Sequence, residues 1–314
     1  MTISTGFVLS LFLAVFAYFA VYYAEYKYCG LTCRCSITDD TLVVTGTGNI
    51  FGVHCARHAI IQDGLTSIGN NAFAGCAEME TIEIPSTITT IGDYAFMGCE
   101  GLKEITIPPT VTHIGTQAFS GCTRLERITI PPSVRFLGPE AFLVCTALQN
   151  ITFCKNSSLK FVGEQAFAGC TKLETIEFPD TVTRIREKTF LGCHSLKNVT
   201  IPSSVKYIGE EAFSRCRSLE ELTIPHSVSF VDKGALTNCP KLRTVRYCGM
   251  DQIDSGMMFV KKPALYVSRC YPENETFFLR NRIEARNLSA FDYCRCDGMN
   301  QKDRERFSDC LGCE

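Results

Sequence analysis

This 314-residue chain has no tryptophan, only five histidines and little net charge, with a formal value of −2. A charge balance so close to neutral provides no basic surface, so neither nucleic acid nor an anionic membrane is expected as a partner. The histidines are scattered. Their one local group, His54-Cys55-Ala56-Arg57-His58, has no recurring carboxylate beside it, so a metal site there is the weaker interpretation.

Motifs of phosphate binding and of nucleophilic catalysis are also missing. The chain has no Gly-x-x-x-x-Gly-Lys loop and no Gly-x-Ser-x-Gly elbow. Gly46-Thr47-Gly48 fits a turn between two strands rather than a phosphate loop. The sequence therefore does not favour an enzyme, and no cofactor or catalytic residue is expected.

What the chain has instead is a repeat. An Ala-Phe-x-x-Cys motif recurs eight times, with Thr189 in place of the Ala in one copy and Leu236 in place of the Phe in another. Successive motif cysteines are 23 residues apart, except for one step of 25. A fixed period of this length predicts a solenoid, in which each coil buries its apolar face against the next. The repeat also accounts for the 22 phenylalanines, since one per coil belongs to the core.

Each coil reads Leu-x-x-Ile-x-Ile-Pro-x-x-Val-x-x-Ile-Gly-x-x-Ala-Phe-x-x-Cys, as in residues 125–145. The alternation in Leu-x-x-Ile-x-Ile predicts a short strand that ends at the Pro, so stacked coils are expected to form one parallel sheet. The Gly is expected to take a positive φ at a corner. Acidic residues follow it, which suits the start of a short helical turn. The expected fold class is therefore mainly β: 23-residue coils stacking a parallel sheet with short helical turns.

The coil pattern resembles the BspA-type leucine-rich repeats found in surface proteins of bacteria and anaerobic protists. The resemblance covers about residues 59–248, coil after coil. Two further segments resemble parts of such domains: residues 42–50 the strand and turn that open them, and residues 264–267 the closing strand. Members of this family are mostly described as adhesins or surface antigens, so the resemblance implies a cell-surface role in adhesion.

An uninterrupted apolar run from Phe7 to Ala24 precedes the repeats. Its length of eighteen residues is at the lower limit for a membrane-spanning helix and long for the core of a signal peptide. A cleaved signal peptide is the preferred interpretation and an uncleaved anchor the alternative. The expected organisation is a signal segment at 1–24, a Cys-rich cap at 25–58, the solenoid at 59–248 and a second Cys-rich cap at 249–314.

Two further features predict export. Five sequons have an Asn before x-Ser/Thr, at Asn150, Asn156, Asn198, Asn274 and Asn287. The chain also has 19 cysteines. Such a number is typical of an oxidising compartment. We therefore expect a secreted or cell-surface glycoprotein, in contact with a membrane only through its N-terminal segment if that segment stays uncleaved.

The cysteines fall into two sets. The eight motif cysteines are expected to be small buried hydrophobes beside the Phe core. Solenoid ends expose apolar surface, so the cysteines outside the repeat are expected to form disulfides within the two caps. These are Cys29, Cys33, Cys35 and Cys55 in the first cap and Cys248, Cys270, Cys294, Cys296, Cys310 and Cys313 in the second. Their connectivity stays open, and zinc at Cys294-x-Cys296 with Cys310-x-x-Cys313 is the less favoured alternative.

Cys154 belongs to neither set. It replaces the strand-ending Pro of its coil, as Cys248 does in a later coil. The two are about 19 Å apart along the stack, too far for a disulfide. We therefore expect a free thiol or an intermolecular bridge at Cys154.

The candidate binding surface is a column two residues after the Val of each coil. Most of this column departs from the small polar residues usual in the family, and the inward-pointing neighbours on both sides push it outward. The candidate residues are His113, Phe136, Phe161, Arg184, Tyr207 and Phe230. Phe136 and Phe161 are expected to stack, with Arg184 between Phe161 and Tyr207. Arg beside aromatic rings suits recognition of a protein or glycan. The alternative is that the rings only cover apolar stems of the flank.

The sequence thus predicts a non-catalytic recognition protein that binds an extracellular protein or glycan through the solenoid surface. The alternative is a structural coat or wall glycoprotein cross-linked by disulfides, for which Cys154 would be the bridge.

Overall fold

The computed structural model describes residues 32–247, together with the strands Asp254–Ser255, Ala264–Val267 and Ala285–Asn287. Each coil contributes two short strands, and like strands stack to form two ladders along the solenoid. The main ladder is divided into four hydrogen-bonded sheets and the second ladder into two. Over the described residues the chain contains no helix, so the prediction of short helical turns is wrong. The segments around Ala-Phe-x-x-Cys form hydrogen-bonded turns instead.

The main ladder contains the strands predicted from Leu-x-x-Ile-x-Ile. Its first pair is antiparallel, and every later pair is parallel. Its strands are β1 (Cys33–Thr38), β2 (Thr41–Gly46), β4 (His58–Ile61), β6 (Thr81–Glu83), β8 (Glu104–Ile105), β10 (Arg127–Ile130), β12 (Asn150–Phe153), β14 (Thr175–Glu177), β16 (Asn198–Thr200), β18 (Glu221–Ile224), β20 (Thr244–Tyr247), β22 (Ala264–Val267) and β23 (Ala285–Asn287).

The second ladder is parallel throughout and was not predicted, since the sequence indicated one sheet. Its strands are only two to four residues long, with too little alternation to show a period of two. They are β3 (Gly48–Ile50), β5 (Leu65–Ile68), β7 (Thr90–Ile91), β9 (His113–Ile114), β11 (Phe136–Leu137), β13 (Phe161–Val162), β15 (Arg184–Ile185), β17 (Tyr207–Ile208), β19 (Phe230–Val231) and β21 (Asp254–Ser255).

The ends of the ladders differ in part from expectation. β2 and β3 lie in the segment that resembles an opening strand and turn. At the other end, β22 continues the main ladder in register with β20. It is not the closing strand that the resemblance implied, because β23 pairs with it on the far side.

The core lies between the two ladders and the turns. Its centre is a column of seven phenylalanines, each fully buried, whose rings stack nearly parallel with centroids 5.2–5.7 Å apart. Burial of one such side chain stabilises the fold by about 1.5–3 kcal/mol. They are Phe73, Phe96, Phe119, Phe142, Phe167, Phe190 and Phe213.

The corner Gly, present in every coil except the two that have Arg186 and Asp232 at this position, has a different role from the one expected. At Gly138 the backbone φ is not positive, but a Cβ there would lie 2.5–2.6 Å from the backbone of Gly115 and Thr116 in the preceding coil. The Gly is therefore required by close backbone approach. The positive φ occurs two residues after the Gly, at non-glycine residues such as Glu140 (φ 56°) and Gln117 (φ 50°). A left-handed residue there ends any right-handed turn, which explains the absence of a helix.

Candidate recognition surface

The second ladder sets the geometry of the candidate column. Leu137 and Val162 point into the core, while Phe136 and Phe161, the residues before them, stay partly exposed. Phe136 is in register with Phe161 on one side and with His113 on the other. Because neighbouring strands lie about 4.8 Å apart, side chains in register meet ring against ring. We call residues His113, Phe136, Phe161, Arg184, Tyr207 and Phe230 the aromatic column.

One half of the aromatic column is a stack of three rings. Phe136 and Phe161 have centroids 4.6 Å apart and planes 10° apart, which confirms the predicted stacking. His113 continues the stack, 5.9 Å from Phe136. The guanidinium over Phe161 belongs to Arg186, with its Cζ 4.3 Å from the ring centroid, rather than to Arg184. Arg186 occupies the position of the corner Gly in its coil, directly after β15, and so lies outside a column that contains one residue of each strand.

The other half of the column is built around Tyr207. Its ring stacks on Phe230 with centroids 5.5 Å and planes 2° apart, and the Arg184 Cζ lies 5.8 Å from its centroid. The Tyr207 hydroxyl donates to Asp232 Oδ2 at 2.9 Å. Burial first, and then this hydrogen bond and the charges of Asp232 and Glu187, raise the pKa of Tyr207 to about 12, against the opposing effect of Arg184. The phenol is therefore a neutral donor near pH 7.

The parallel stacking decides which part of each ring faces solvent. Within both stacks the ring faces cover each other, so partners approaching from outside meet ring edges. The rings are half-buried, while His113 and Arg184 are exposed. The column is thus an apolar ridge with basic groups on it, and the interpretation that the rings also shield the flank is compatible with this geometry.

Three of the predicted glycosylation sites are described, and none of them is a residue of the second ladder. Asn150 begins β12 and Asn198 begins β16, both exposed on the main ladder. Asn156 is exposed in the turn after β12, with φ 60°. The side chain of Asn287 and all of Asn274 lie outside the described residues.

The structure corrects the predicted disulfide pairing of the first cap. Cys55 is disulfide-bonded to Cys76, a motif cysteine, rather than to one of the other three cap cysteines. Cys33 is a free, half-buried thiol. Cys35 is in a disulfide whose partner lies outside the described residues. The pairing was not readable from the sequence because Cys76 looked like every other motif cysteine, and only the stacking brings it beside Cys55.

Cys29 and all six cysteines assigned to the second cap, Cys248, Cys270, Cys294, Cys296, Cys310 and Cys313, lie outside the described residues. So does the run from Phe7 to Ala24. Cys154 is a free, half-buried thiol at the end of β12.

The other seven motif cysteines are fully or almost fully buried, as predicted, but each also donates a hydrogen bond. Cys122 Sγ, for example, lies 3.3 Å from the carbonyl oxygen of Phe96 in the coil before. Burial raises the pKa of all seven thiols, to about 12 for Cys122 and Cys170. They are therefore protonated and unreactive near pH 7. The set is Cys99, Cys122, Cys145, Cys170, Cys193, Cys216 and Cys239.

Among the described residues no three His, Cys, Asp or Glu side chains are grouped to hold a metal ion. At the His54–His58 segment, Cys55 is used in the disulfide and His58 Nδ1 lies 2.8 Å from Thr81 Oγ1. Residues 32–247 and the later strands include no helix suited to crossing a membrane.

Comparison with known proteins gives a family and a fold. The family described as BspA type Leucine rich repeat region matches residues 49–159 and 155–262, in six copies, which is more than half of the chain. A leucine-rich repeat protein of T. pallidum is 24% identical with a TM-score of 0.51, covering 62% of this chain and 91% of its own. One from Bacteroides ovatus is 22% identical with a TM-score of 0.47, covering 88% of this chain and 94% of its own. No curated protein matches the chain.

Proposed function

The chain belongs to the BspA-type leucine-rich-repeat family, whose solenoids are binding scaffolds, and we propose that it is a non-catalytic recognition protein of the cell surface or the secreted space. The observation that carries the proposal is the aromatic column. It places partly exposed rings and two guanidinium groups on a rigid ladder. Tyr, Phe and Arg held in fixed positions are the side chains that dominate protein interfaces.

Rigidity supports this assignment. Each residue of the aromatic column is next to a core residue, as Phe161 is next to Val162, so its backbone is fixed by the ladder. A surface that is ordered before binding loses little conformational entropy when a partner docks. An extracellular protein or glycan is the proposed partner class, and adhesion is the proposed role.

The test compares binding of wild-type protein and a Phe161→Ser/Tyr207→Ser variant to a glycan array and to immobilised extracellular-matrix proteins. The matched control is Thr106→Ser/Thr129→Ser on the exposed face of the main ladder. Loss of binding in the first variant only, with equal circular dichroism for all three proteins, supports the proposal. Unchanged binding by a folded Phe161→Ser/Tyr207→Ser protein would remove the aromatic column as the recognition surface.

Localisation has its own test. The intact mass of the protein from native membrane and secreted fractions is measured with and without glycosidase and thiol alkylation. Added sugar and the loss of an N-terminal segment of 17–24 residues support export, as the apolar run predicts. A full-length, unglycosylated chain with every thiol free would contradict it.

A structural glycoprotein of a coat or wall is the second candidate, favoured by one observation. Cys154 is a free thiol with partial exposure, at a position where six other coils have Pro and the last has Cys248. This candidate predicts a disulfide-linked dimer on non-reducing gels that Cys154→Ser abolishes. A strict monomer in the native secreted fraction would rule it out.

A further inference from the structure

Basic side chains cluster around the aromatic column without acidic partners. Arg135, Lys160 and Lys206 each come directly before a residue of the column, and Arg184 and Arg186 lie over its rings. Four of the five are exposed, and Arg186 is half-buried. Six ion pairs occur among the described residues, and none of them includes any of these five cations.

The carboxylates nearest in sequence are mostly engaged elsewhere. Glu210 pairs with Lys233 at 3.3 Å and Glu211 with Lys188 at 4.0 Å. Asp232 accepts from Tyr207, and Glu140 accepts from Gln117 Nε2 at 2.9 Å. Two neighbouring carboxylates, Glu164 and Glu187, have no ion pair within the described part of the chain. Asp232 and Glu140 keep their charge because their donors are neutral, so five cations outside ion pairs face four such carboxylates and leave an excess of one positive charge around the column, although the chain as a whole is slightly acidic.

The ring geometry restricts the partner further. A sugar stacks its C–H groups on an aromatic face, but the faces of Phe136, Phe161 and Tyr207 are covered by other rings or by guanidinium groups. What the column offers is a ridge of ring edges, which apolar groups cover with a gain in free energy. These stacked faces are therefore not open to a neutral glycan, and a neutral glycan would also make no ion pair with the cations.

We infer that the aromatic column docks an acidic polypeptide segment in which apolar side chains alternate with Asp or Glu. This rests on the proposed recognition function and names its partner class. The guanidinium groups of Arg184 and Arg186 lie over rings and still have N–H groups at their edges, which suit bidentate contact with carboxylates. The apolar side chains of the partner cover the ring edges between them.

An acidic polysaccharide fits the surface less well than such a polypeptide. It would satisfy the cations but has no side chains to bury against Phe136, Phe161 and Phe230. Its binding would therefore depend on charge alone and would not change when the rings are removed. The two partner classes thus differ in how their affinity responds to loss of the rings.

The experiment measures fluorescence anisotropy of labelled synthetic peptides of one length with the full chain. The peptides alternate Glu with Leu, Glu with Ser, and Lys with Leu, and dextran sulfate is used as a competitor. We expect the Glu/Leu peptide to bind at least about tenfold more tightly than the Glu/Ser peptide, and the Lys/Leu peptide not to bind.

Variants separate the contributions. Arg184→Ser/Arg186→Ser and Phe136→Ser/Phe161→Ser are each expected to weaken Glu/Leu binding by about tenfold or more. If the arginine variant unfolds, Lys160→Ser/Lys206→Ser tests the contribution of positive charge to binding instead, since neither lysine is one of the cations over the rings. Lys103→Ser/Arg243→Ser removes two exposed cations from the main ladder as the matched control, with less than about a twofold change expected.

Each outcome decides the inference. If ring variants lose peptide binding and both cation variants do not, the column is a recognition surface but its partner is not acidic. If no variant changes binding, both the inference and the use of this surface for recognition fail. If dextran sulfate binds as tightly and the ring variants keep that binding, the partner is a polyanion recognised by charge. Concentration-dependent dimerisation lost in the ring variants would identify a second copy of the chain as the occupant instead.

Discussion

The thiol of Cys145 donates to the backbone carbonyl of Phe119, with 3.1 Å between Sγ and oxygen, and thereby links one coil to the coil before it. The same contact recurs in every motif cysteine from Cys99 to Cys239. Cys76, the first in the series, is bonded to Cys55 instead. The motif cysteine therefore does more than fill a small space, because its thiol is a second donor, from the next coil, to a carbonyl that already accepts the Cys122 N–H within its own turn.

Replacing Cys145 separates these two roles. Cys145→Ala removes the thiol donor, while the Phe119 carbonyl still accepts the N–H of Cys122, and it is expected to lower the free energy of unfolding by about 0.5–1.5 kcal/mol. Cys145→Ser keeps a donor and is expected to lower it less. Urea unfolding followed by circular dichroism measures both. A serine variant less stable than the alanine variant would mean that the cysteine acts only as a hydrophobe.

The buried thiols also predict a loss of stability in alkali. Their pKa is raised on folding, from about 8.5 in the unfolded chain to about 12 for Cys122 and Cys170. Between these values the unfolded chain releases thiol protons that the folded chain retains, so their effect is absent below about pH 8.5 and the free energy of unfolding falls as pH rises toward 12.

The measurement is the urea midpoint at pH 8 and at pH 10. We expect a smaller fall in Cys122→Ala/Cys170→Ala than in the wild-type protein, since two titrating thiols are gone while the tyrosines and lysines are unchanged. Equal falls in both proteins would show that these thiols do not couple to folding.

Two glycines are expected to respond differently to alanine. Gly138→Ala puts a methyl group against the backbone of Gly115 and Thr116 and should lower the free energy of unfolding by about 1–3 kcal/mol through overpacking. Gly192 has φ 74° and no atom within 4 Å of an added Cβ, so Gly192→Ala should lose about 1–2 kcal/mol from backbone strain alone.

Replacing each glycine by asparagine distinguishes the two causes. Asn tolerates a left-handed backbone, so it should be milder than alanine at position 192 and more severe than alanine at position 138. Thermal unfolding of the four variants is the measurement. The same order at both positions would contradict this assignment.

The Cys55–Cys76 disulfide is expected to stabilise the first coils. Its sequence separation is 21 residues, and closure of a loop of this length is worth about 2–4 kcal/mol. Cys55→Ser/Cys76→Ser should lower the urea midpoint by a corresponding amount, and reducing agent should lower the midpoint of the wild-type protein by more than that of the variant, which keeps the disulfide of Cys35. An equal midpoint for wild type and variant under non-reducing conditions would show that the bond does not contribute.

Much of the fold could be predicted because the repeat places the same side chains in every coil. Phe142 and Leu148 had to be buried, and Ile128 and Ile130 had to share one face of a strand, whatever the details of the turns. The column of Phe136 and Phe161 followed from register: one residue per coil at the same offset must stack. Which cation lies over Phe161 did not follow, since Arg184 and Arg186 are both within reach and only side-chain geometry separates them.

The turns were predicted least well. Gly138 and Glu140 were assigned a positive φ and the start of a helical turn, respectively, and the structure reverses the first and removes the second. The constraint at Gly138 comes from the neighbouring coil, 23 residues earlier in the sequence. Local backbone propensities do not include such a contact. The short second ladder was missed for the same reason, since two-residue strands such as Phe136–Leu137 are held only by their neighbours.

The amino-acid sequence by itself determined the solenoid, its period, its buried Phe and Cys columns and the alignment of the aromatic column. These depend on periodic burial of apolar side chains, which is written in the order of the residues. Only the tertiary structure decided the bond between Cys55 and Cys76, the thiol contacts to carbonyls, the need for Gly138 and the edge-on presentation of the rings. Each of these depends on the distance between atoms in adjacent coils, and that distance exists only after the coils have stacked.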